Sequence, residues 1–165
     1  MIKKLLPILF VLIITSCSKE VPEDQLVERD GLFYEVNSQK PFNGTLVSYH
    51  DNGQLKLRSN YKNGKLEGLS ENFHDNGQLR SEGYFQDWKQ IGSFKIFFDN
   101  GRLQWVLNYE DGQLIGLENY YRNGQLQIKT NIKNGKPEGP YEGYWDDGQP
   151  MLGKDLEHLK NSIRW

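Results

Sequence analysis

The sequence predicts an all-β protein: an elongated array of antiparallel β-hairpin repeats forming a twisted meander sheet. Three observations predict it. A turn motif, Asp51-Asn52-Gly53-Gln54-Leu55, recurs down the chain with its glycines at 53, 77, 101, 124 and 148, in steps of 24, 24, 24 and 23 residues. Between the turns, apolar residues alternate with polar ones, the period of a strand with one apolar face. The 165 residues also include 17 Gly and no Ala, a poor composition for a helical bundle.

The chain opens with the basic pair Lys3 and Lys4, followed by an apolar run from Leu5 to Ile14 and then Thr15-Ser16-Cys17. This is the pattern of a secretory signal. The run is too short for a permanent span, which needs about 20 apolar residues. Ile14-Thr15-Ser16-Cys17 resembles the lipobox of bacterial lipoproteins, and Cys17 is the only cysteine. The resemblance implies that residues 1–16 are removed, that Cys17 is acylated, and that the body lies outside the cytoplasm, anchored to a membrane of the cell envelope. Loss of Lys3 and Lys4 leaves 18 basic against 22 acidic residues, a net charge of −4. Residues 17–29 are polar and acidic without periodic apolar positions, and are expected to form a tether.

Residues 30–152 carry the array. The turn motif returns as Asp75-Asn76-Gly77-Gln78-Leu79, Asp99-Asn100-Gly101-Arg102-Leu103, Arg122-Asn123-Gly124-Gln125-Leu126 and Asp146-Asp147-Gly148-Gln149-Pro150. Asn-Gly suits a type I′ hairpin, where both central residues need positive φ. A two-residue loop at Asn100-Gly101 would set 98 opposite 103, 96 opposite 105 and 94 opposite 107, all apolar pairs; a three-residue loop with a bulge would shift them. A second turn closes each unit at Asn63-Gly64, Asp111-Gly112 and Asn134-Gly135. Asp87-Trp88 replaces it in the second unit, so a looser or longer turn is expected there. A further glycine series, 44, 68, 92, 116 and 139, marks places where backbones approach closely or the chain bends. Each repeat adds two strands, or about 10 Å of sheet. Residues 153–165, with Leu156, Leu159 and Ile163 at helix-like spacing, are expected to cap the open edge as a short helix or an irregular strand.

The aromatic-x-Asn-Gly-Gln-Leu motif with its distal Asn-Gly-Lys-x-x-Gly resembles the bacterial variant of the MORN repeat over residues of about 42–152. The pattern also resembles the YwqK-type proteins, a group labelled antitoxin components of toxin–antitoxin modules. Asp30 to Tyr34 followed by Lys40 to Thr45 is similar to the half-repeat that opens such arrays. The resemblance implies a binding or scaffolding surface, with an antitoxin-like role as one version of it.

No catalytic residues emerge from the pattern, and no cofactor or metal is expected. A single cysteine excludes a disulfide framework and a cysteine-based zinc site. His50 and His74 occupy the repeat position later held by Phe98, Tyr121 and Trp145, so they are read as ring positions of the repeat. Glu71, Glu82, Glu118 and Glu142 are read as a solvated face. The aromatic columns Tyr49, Phe73, Phe97, Tyr120, Tyr144 and Tyr61, Phe85, Tyr109 are either a thin core or the binding surface. The acidic charge disfavours nucleic acid and anionic lipid headgroups as ligands. The expected function is therefore a non-catalytic, membrane-anchored lipoprotein that binds a protein partner. An envelope glycan or lipid headgroup is the alternative ligand, and an envelope enzyme a more distant one.

Overall fold

The computed structural model describes residues 19–162. The signal segment 1–16, Cys17 and Trp165 lie outside the described residues. The chain runs β1 (Glu20–Pro22), a 3-10 turn (Glu23–Gln25), β2 (Leu26–Arg29), β3 (Leu32–Glu35), β4 (Gly44–Tyr49), β5 (Leu55–Lys62), β6 (Lys65–Phe73), β7 (Leu79–Gln86), β8 (Lys89–Phe97), β9 (Leu103–Glu110), β10 (Gln113–Tyr120), β11 (Leu126–Lys133), β12 (Lys136–Gly143) and α1 (Lys154–Ser162). β4 to β12 form an antiparallel meander in chain order, and β1 joins its outer edge to make ten strands. The all-β hairpin array expected from the repeats is what forms.

The two kinds of turn divide the work differently from expectation. At the Asp-Asn-Gly turns only the glycine takes positive φ: 83° at Gly53, 82° at Gly77, 78° at Gly101 and 92° at Gly124. The His50 N–H donates to Gln54 O and the Gly53 N–H to His50 O, each at 2.8 Å, and the same pair of bonds closes the later turns. These are three-residue loops ending in a glycine bulge, not two-residue type I′ turns. Phe97, rather than residue 98, therefore pairs with Leu103. A second irregularity next to the turn restores the register, so Ile96 faces Trp105 and Phe94 faces Leu107 as expected. The type I′ geometry belongs to the opposite turns, where both residues have positive φ: Asn63-Gly64, Asp111-Gly112 and Asn134-Gly135.

Asp87-Trp88 is neither looser nor longer. Gln86 still pairs with Lys89 across two residues, and φ is 48° at Asp87 and 69° at Trp88. The left-handed conformation, unfavourable for an L-residue, is held by contacts. The Trp88 ring lies 5.9 Å from both Phe33 and Tyr61, and the Trp88 backbone N–H donates to Leu66 O at 3.2 Å. The further glycine series falls at register shifts in β6, β8 and β12 (φ 97° at Gly68, 65° at Gly92, 83° at Gly139). Gly44 is a close approach: a Cβ there would lie 2.6 Å from Lys19 O.

A single sheet needs something to cover its apolar face. At one end β2 and β3 form a separate hairpin whose Leu26 and Phe33 pack on Val21, Phe42 and Leu46. At the other, Leu159 of α1 packs on Leu117, Ile128 and Ile132, while Leu156 sits where a Cβ on Gly143 would go. Both edges are unsuited to further pairing. β1 has three residues and ends in Pro22, and β12 carries Pro137 and Pro140.

The expected tether is corrected from residue 19 onward. Glu20–Pro22 pair in parallel with Thr45–Val47, the Thr45 N–H donates to Lys19 O at 2.9 Å, and Val21 is buried. One apolar residue among charges shows no periodicity, which is why the segment reads as a spacer. Its charges are matched locally, Lys19 with Glu35 at 2.5 Å and Glu20 with Arg58 at 3.7 Å.

Candidate functional site

Strand alternation puts the two aromatic columns on opposite faces of the sheet. Tyr61, Phe85 and Tyr109 pair across with Leu66, Gln90 and Leu114, on the face that carries the core. Tyr61 joins a ring cluster with Phe33 at 5.1 Å and Phe42 at 5.9 Å. Its burial raises the phenol pKa, with the Glu23 and Glu28 charges adding to the rise. Tyr49, Phe73, Phe97, Tyr120 and Tyr144 lie on the other face. Tyr49 is exposed and the remaining four are half-buried. One flat ligand cannot touch both columns.

The second face carries a feature that residue-type reasoning missed. Arg58, Glu71, Glu82, Lys95, Val106, Glu118, Lys129 and Glu142 are successive cross-strand partners, a charged row broken once by a valine. Glu71 and Glu82 stand opposite each other, and each has a cation on its far side: Arg58 at 4.0 Å from Glu71 and Lys95 at 3.0 Å from Glu82. Lys129 reaches Glu118 at 3.0 Å. The signal was present in the spacing. Residues 58, 82, 106 and 129 keep the repeat step, and so do 71, 95, 118 and 142.

The aromatic column runs two residues further along each strand, on the same face, and its phenols bond to the row. The Tyr120 hydroxyl donates to Glu118 at 2.5 Å and the Tyr144 hydroxyl to Glu142 at 3.0 Å. Burial, then the bond to Glu118, pushes the Tyr120 pKa up to about 12. The same bond, against a smaller opposing effect of burial and with help from Lys129, holds the Glu118 carboxyl below its usual value. The bond to Glu142 raises the Tyr144 phenol. Among the described residues this is the densest network of phenols, carboxylates and an ammonium.

The histidines serve the array. His50 Nε2 lies 2.9 Å from Phe73 O and His74 Nε2 3.0 Å from Phe97 O, so each Nε2 carries the proton and donates to the next repeat. Tyr121 does the same at the equivalent position, its hydroxyl 3.0 Å from Tyr144 O. The asparagines form a parallel ladder: Asn52 Nδ2 donates to Asp75 O at 2.6 Å, Asn76 to Asp99 O at 2.8 Å and Asn123 to Asp146 O at 2.7 Å.

A hollow beside the C-terminal helix lies off the repeat register. Asp155 and His158, three apart on α1, share about 260 Å³ with Tyr121, Gln127, Trp145, Met151 and Leu159. Both are exposed, and the lining contains no serine, threonine or cysteine to act as a nucleophile. Among the described residues no group of three or more His, Cys, Asp or Glu is placed to hold a metal ion. No described helix is long and apolar enough to cross a membrane.

No curated protein matches the sequence. Among solved structures the chain is similar to a mutant of S. aureus TarM in complex with fondaparinux, α-GlcNAc-glycerol and UDP (14% identity, 68% of this chain and 20% of that one, TM-score 0.37). It is also similar to accessory secretory protein 1, 2 and 3 of Streptococcus pneumoniae (18% identity, 74% and 22%, TM-score 0.35). A third is a GtfA/B complex bound to UDP and GlcNAc (17% identity, 82% and 25%, TM-score 0.27). The chain spans about a fifth to a quarter of the length of those chains. Residues 42–63, 66–87 and 117–134 each match the MORN repeat variant, so the hairpins that build this sheet include MORN-type repeats.

Proposed function

We propose that the protein is a non-catalytic binding module, anchored in the bacterial cell envelope by acylation at Cys17. In this reading the face bearing Tyr49, Phe73, Phe97, Tyr120 and Tyr144 receives a protein partner. The observation that carries it is the charged row beside the aromatic column. Ion pairs exposed to water contribute only about 0–1 kcal/mol each, so the row adds little to folding. A fixed sequence of signs at strand spacing supports recognition instead, because a partner must match it register by register. The half-buried rings beside it supply apolar area of the kind that anchors protein interfaces. A neutral glycan would use the rings and leave the alternating charges unmatched. The antitoxin-like role implied by the YwqK-type resemblance is one version of this reading.

The test is crosslinking and pull-down from native envelope, with the acylated protein as bait. A specific protein, lost both on Phe97→Ala with Tyr120→Ala and on Lys129→Glu with Lys95→Glu, supports the proposal. Retention on an envelope glycan with no protein recovered, insensitive to the charge reversals, would replace it with the glycan alternative.

A further inference from the structure

We propose that the outer face of the β2–β3 hairpin lies against the bilayer beside the lipid anchor. This rests on the acylation of Cys17 proposed above and adds an orientation to it. The hairpin stands outside the meander, and its two faces differ. Leu26 and Phe33 point inward onto the first core cluster. Alternation therefore turns Val27 and Tyr34 outward, and Val36 follows in the turn after β3. Val27 is 38% exposed and Val36 51% exposed. The Arg29 guanidinium lies over the Tyr34 ring, 4.2 Å from its centroid. An apolar patch with a ring and a cation at its border suits the zone between headgroups and acyl chains.

Covalent geometry places the anchor at the hairpin's end of the molecule. Cys17 is two residues before Lys19, so their α-carbons are at most about 7 Å apart. Lys19 is already fixed in the fold. Its carbonyl accepts from the Thr45 N–H, and its ammonium lies 2.5 Å from the carboxylate of Glu35, the cross-strand partner of Leu26. One residue lies between Cys17 and the fixed Lys19, so an acyl anchor holds the bilayer at the hairpin's end of the fold. Glu23, Asp24, Glu28 and Asp30 at the same end oppose anionic headgroups, which makes the contact apolar rather than electrostatic. The consequence is geometric: the sheet rises from the membrane by its β1 edge and presents its later repeats away from it.

The test uses the full acylated protein, reconstituted into phosphatidylethanolamine–phosphatidylglycerol vesicles containing nitroxide lipids. A fluorophore is attached through Val36→Cys or, on the far edge strand, Lys136→Cys. Acylated Cys17 has no free thiol, so labelling is confined to the introduced site. The expected result is quenching several-fold stronger at position 36 than at 136, and weakened at 36 by Val27→Glu. Equal quenching at the two sites, or quenching unaffected by Val27→Glu, with Cys17 acylated by mass spectrometry, overturns the apposition and leaves the anchor standing. An unmodified Cys17 overturns both.

Discussion

Replacing Trp88 by glycine should destabilise the protein although it removes backbone strain. A left-handed L-residue is strained by about 1–2 kcal/mol, and glycine relieves this. Glycine also frees the unfolded chain, which takes back about 0.5–1 kcal/mol. The backbone gain is therefore at most about 1.5 kcal/mol. Against it stands the ring. Trp88 is 41% exposed, so the remainder of its surface, roughly 120 Å² on a tryptophan's scale, is in contact. At about 25 cal/mol per Å² this is worth about 3 kcal/mol as an upper estimate. The ring contacts with Phe33 and Tyr61, both at 5.9 Å, add about 0.5–1.5 kcal/mol each at most. The net loss should be about 2–5 kcal/mol. Urea denaturation of the body carrying Cys17→Ser, followed by tryptophan fluorescence and far-UV circular dichroism, measures it. In a Phe33→Ala background the same substitution should be about 0.5–1.5 kcal/mol less damaging, because one ring contact is already gone. A Trp88→Gly protein as stable as the parent, or a loss unchanged by Phe33→Ala, would refute the reasoning.

Gly83→Ala should destabilise by about 1–3 kcal/mol, since its Cβ would meet Phe94 Cδ2 at 2.5 Å, and Phe94→Leu should restore most of the loss in thermal melts. Asn76→Ala removes the bond to Asp99 O and the one accepted from the Gln78 N–H, so a loss of about 1–2 kcal/mol and faster amide exchange at Gln78 are expected. The Glu118–Tyr120 pair gives two pH limits. Glu118 has a lowered pKa, so its contribution is present above the ordinary carboxylate range and is lost as pH falls through the folded value. Tyr120 is raised to about 12, so its contribution is present below about 10 and is lost as pH rises towards 12. Tyr120→Phe should move the Glu118 carboxyl back up in an NMR titration, because the phenol is its largest perturbation.

Much of the array was legible because its signals are local and repeated. Asn-Gly marks a turn by its own backbone preferences, and period-two alternation marks the strand that follows. What failed was the assignment of turn types. Asn100-Gly101 and Asn63-Gly64 are the same dipeptide, yet only the second has both residues at positive φ. The difference lies in what each asparagine bonds. Asn100 Oδ1 accepts from the Arg102 N–H, and its Nδ2 reaches the next turn, contacts that no single-turn preference encodes. Glu20–Pro22 was missed for a related reason: a three-residue strand held by one buried valine has no period to detect. Trp88 was misjudged because its supports, Phe33 and Tyr61, are distant in sequence. The candidate site was half legible. The rings were visible as columns, but which face each column occupies depends on the bulges between them and was settled by cross-strand pairing.

The motif that reveals the array is the part least available for recognition. At Asn52, Asn76, Asn100 and Asn123 the asparagine bonds its own loop and the next turn, and Gly77, Gly101 and Gly148 leave room for the glutamine of the turn before. A Cβ on Gly77 or Gly101 would lie 2.9 Å from the Oε1 of Gln54 or Gln78. Where Gln is replaced by Arg102, the guanidinium still reaches the following turn, at 2.7 Å from Asn123 O. A ligand that seized these groups would have to break the contacts joining one repeat to the next. Specificity is free to reside where the repeats differ and the array tolerates the difference. The position held by Arg58, Glu82, Val106 and Lys129 changes sign or loses charge from repeat to repeat, and the one held by Glu71, Lys95, Glu118 and Glu142 reverses sign at Lys95. The backbone ladder holds all of them at the same spacing. Constant turns thus fix the geometry of a surface whose charge pattern the strands are left free to vary, which is the division of labour expected of a binding scaffold.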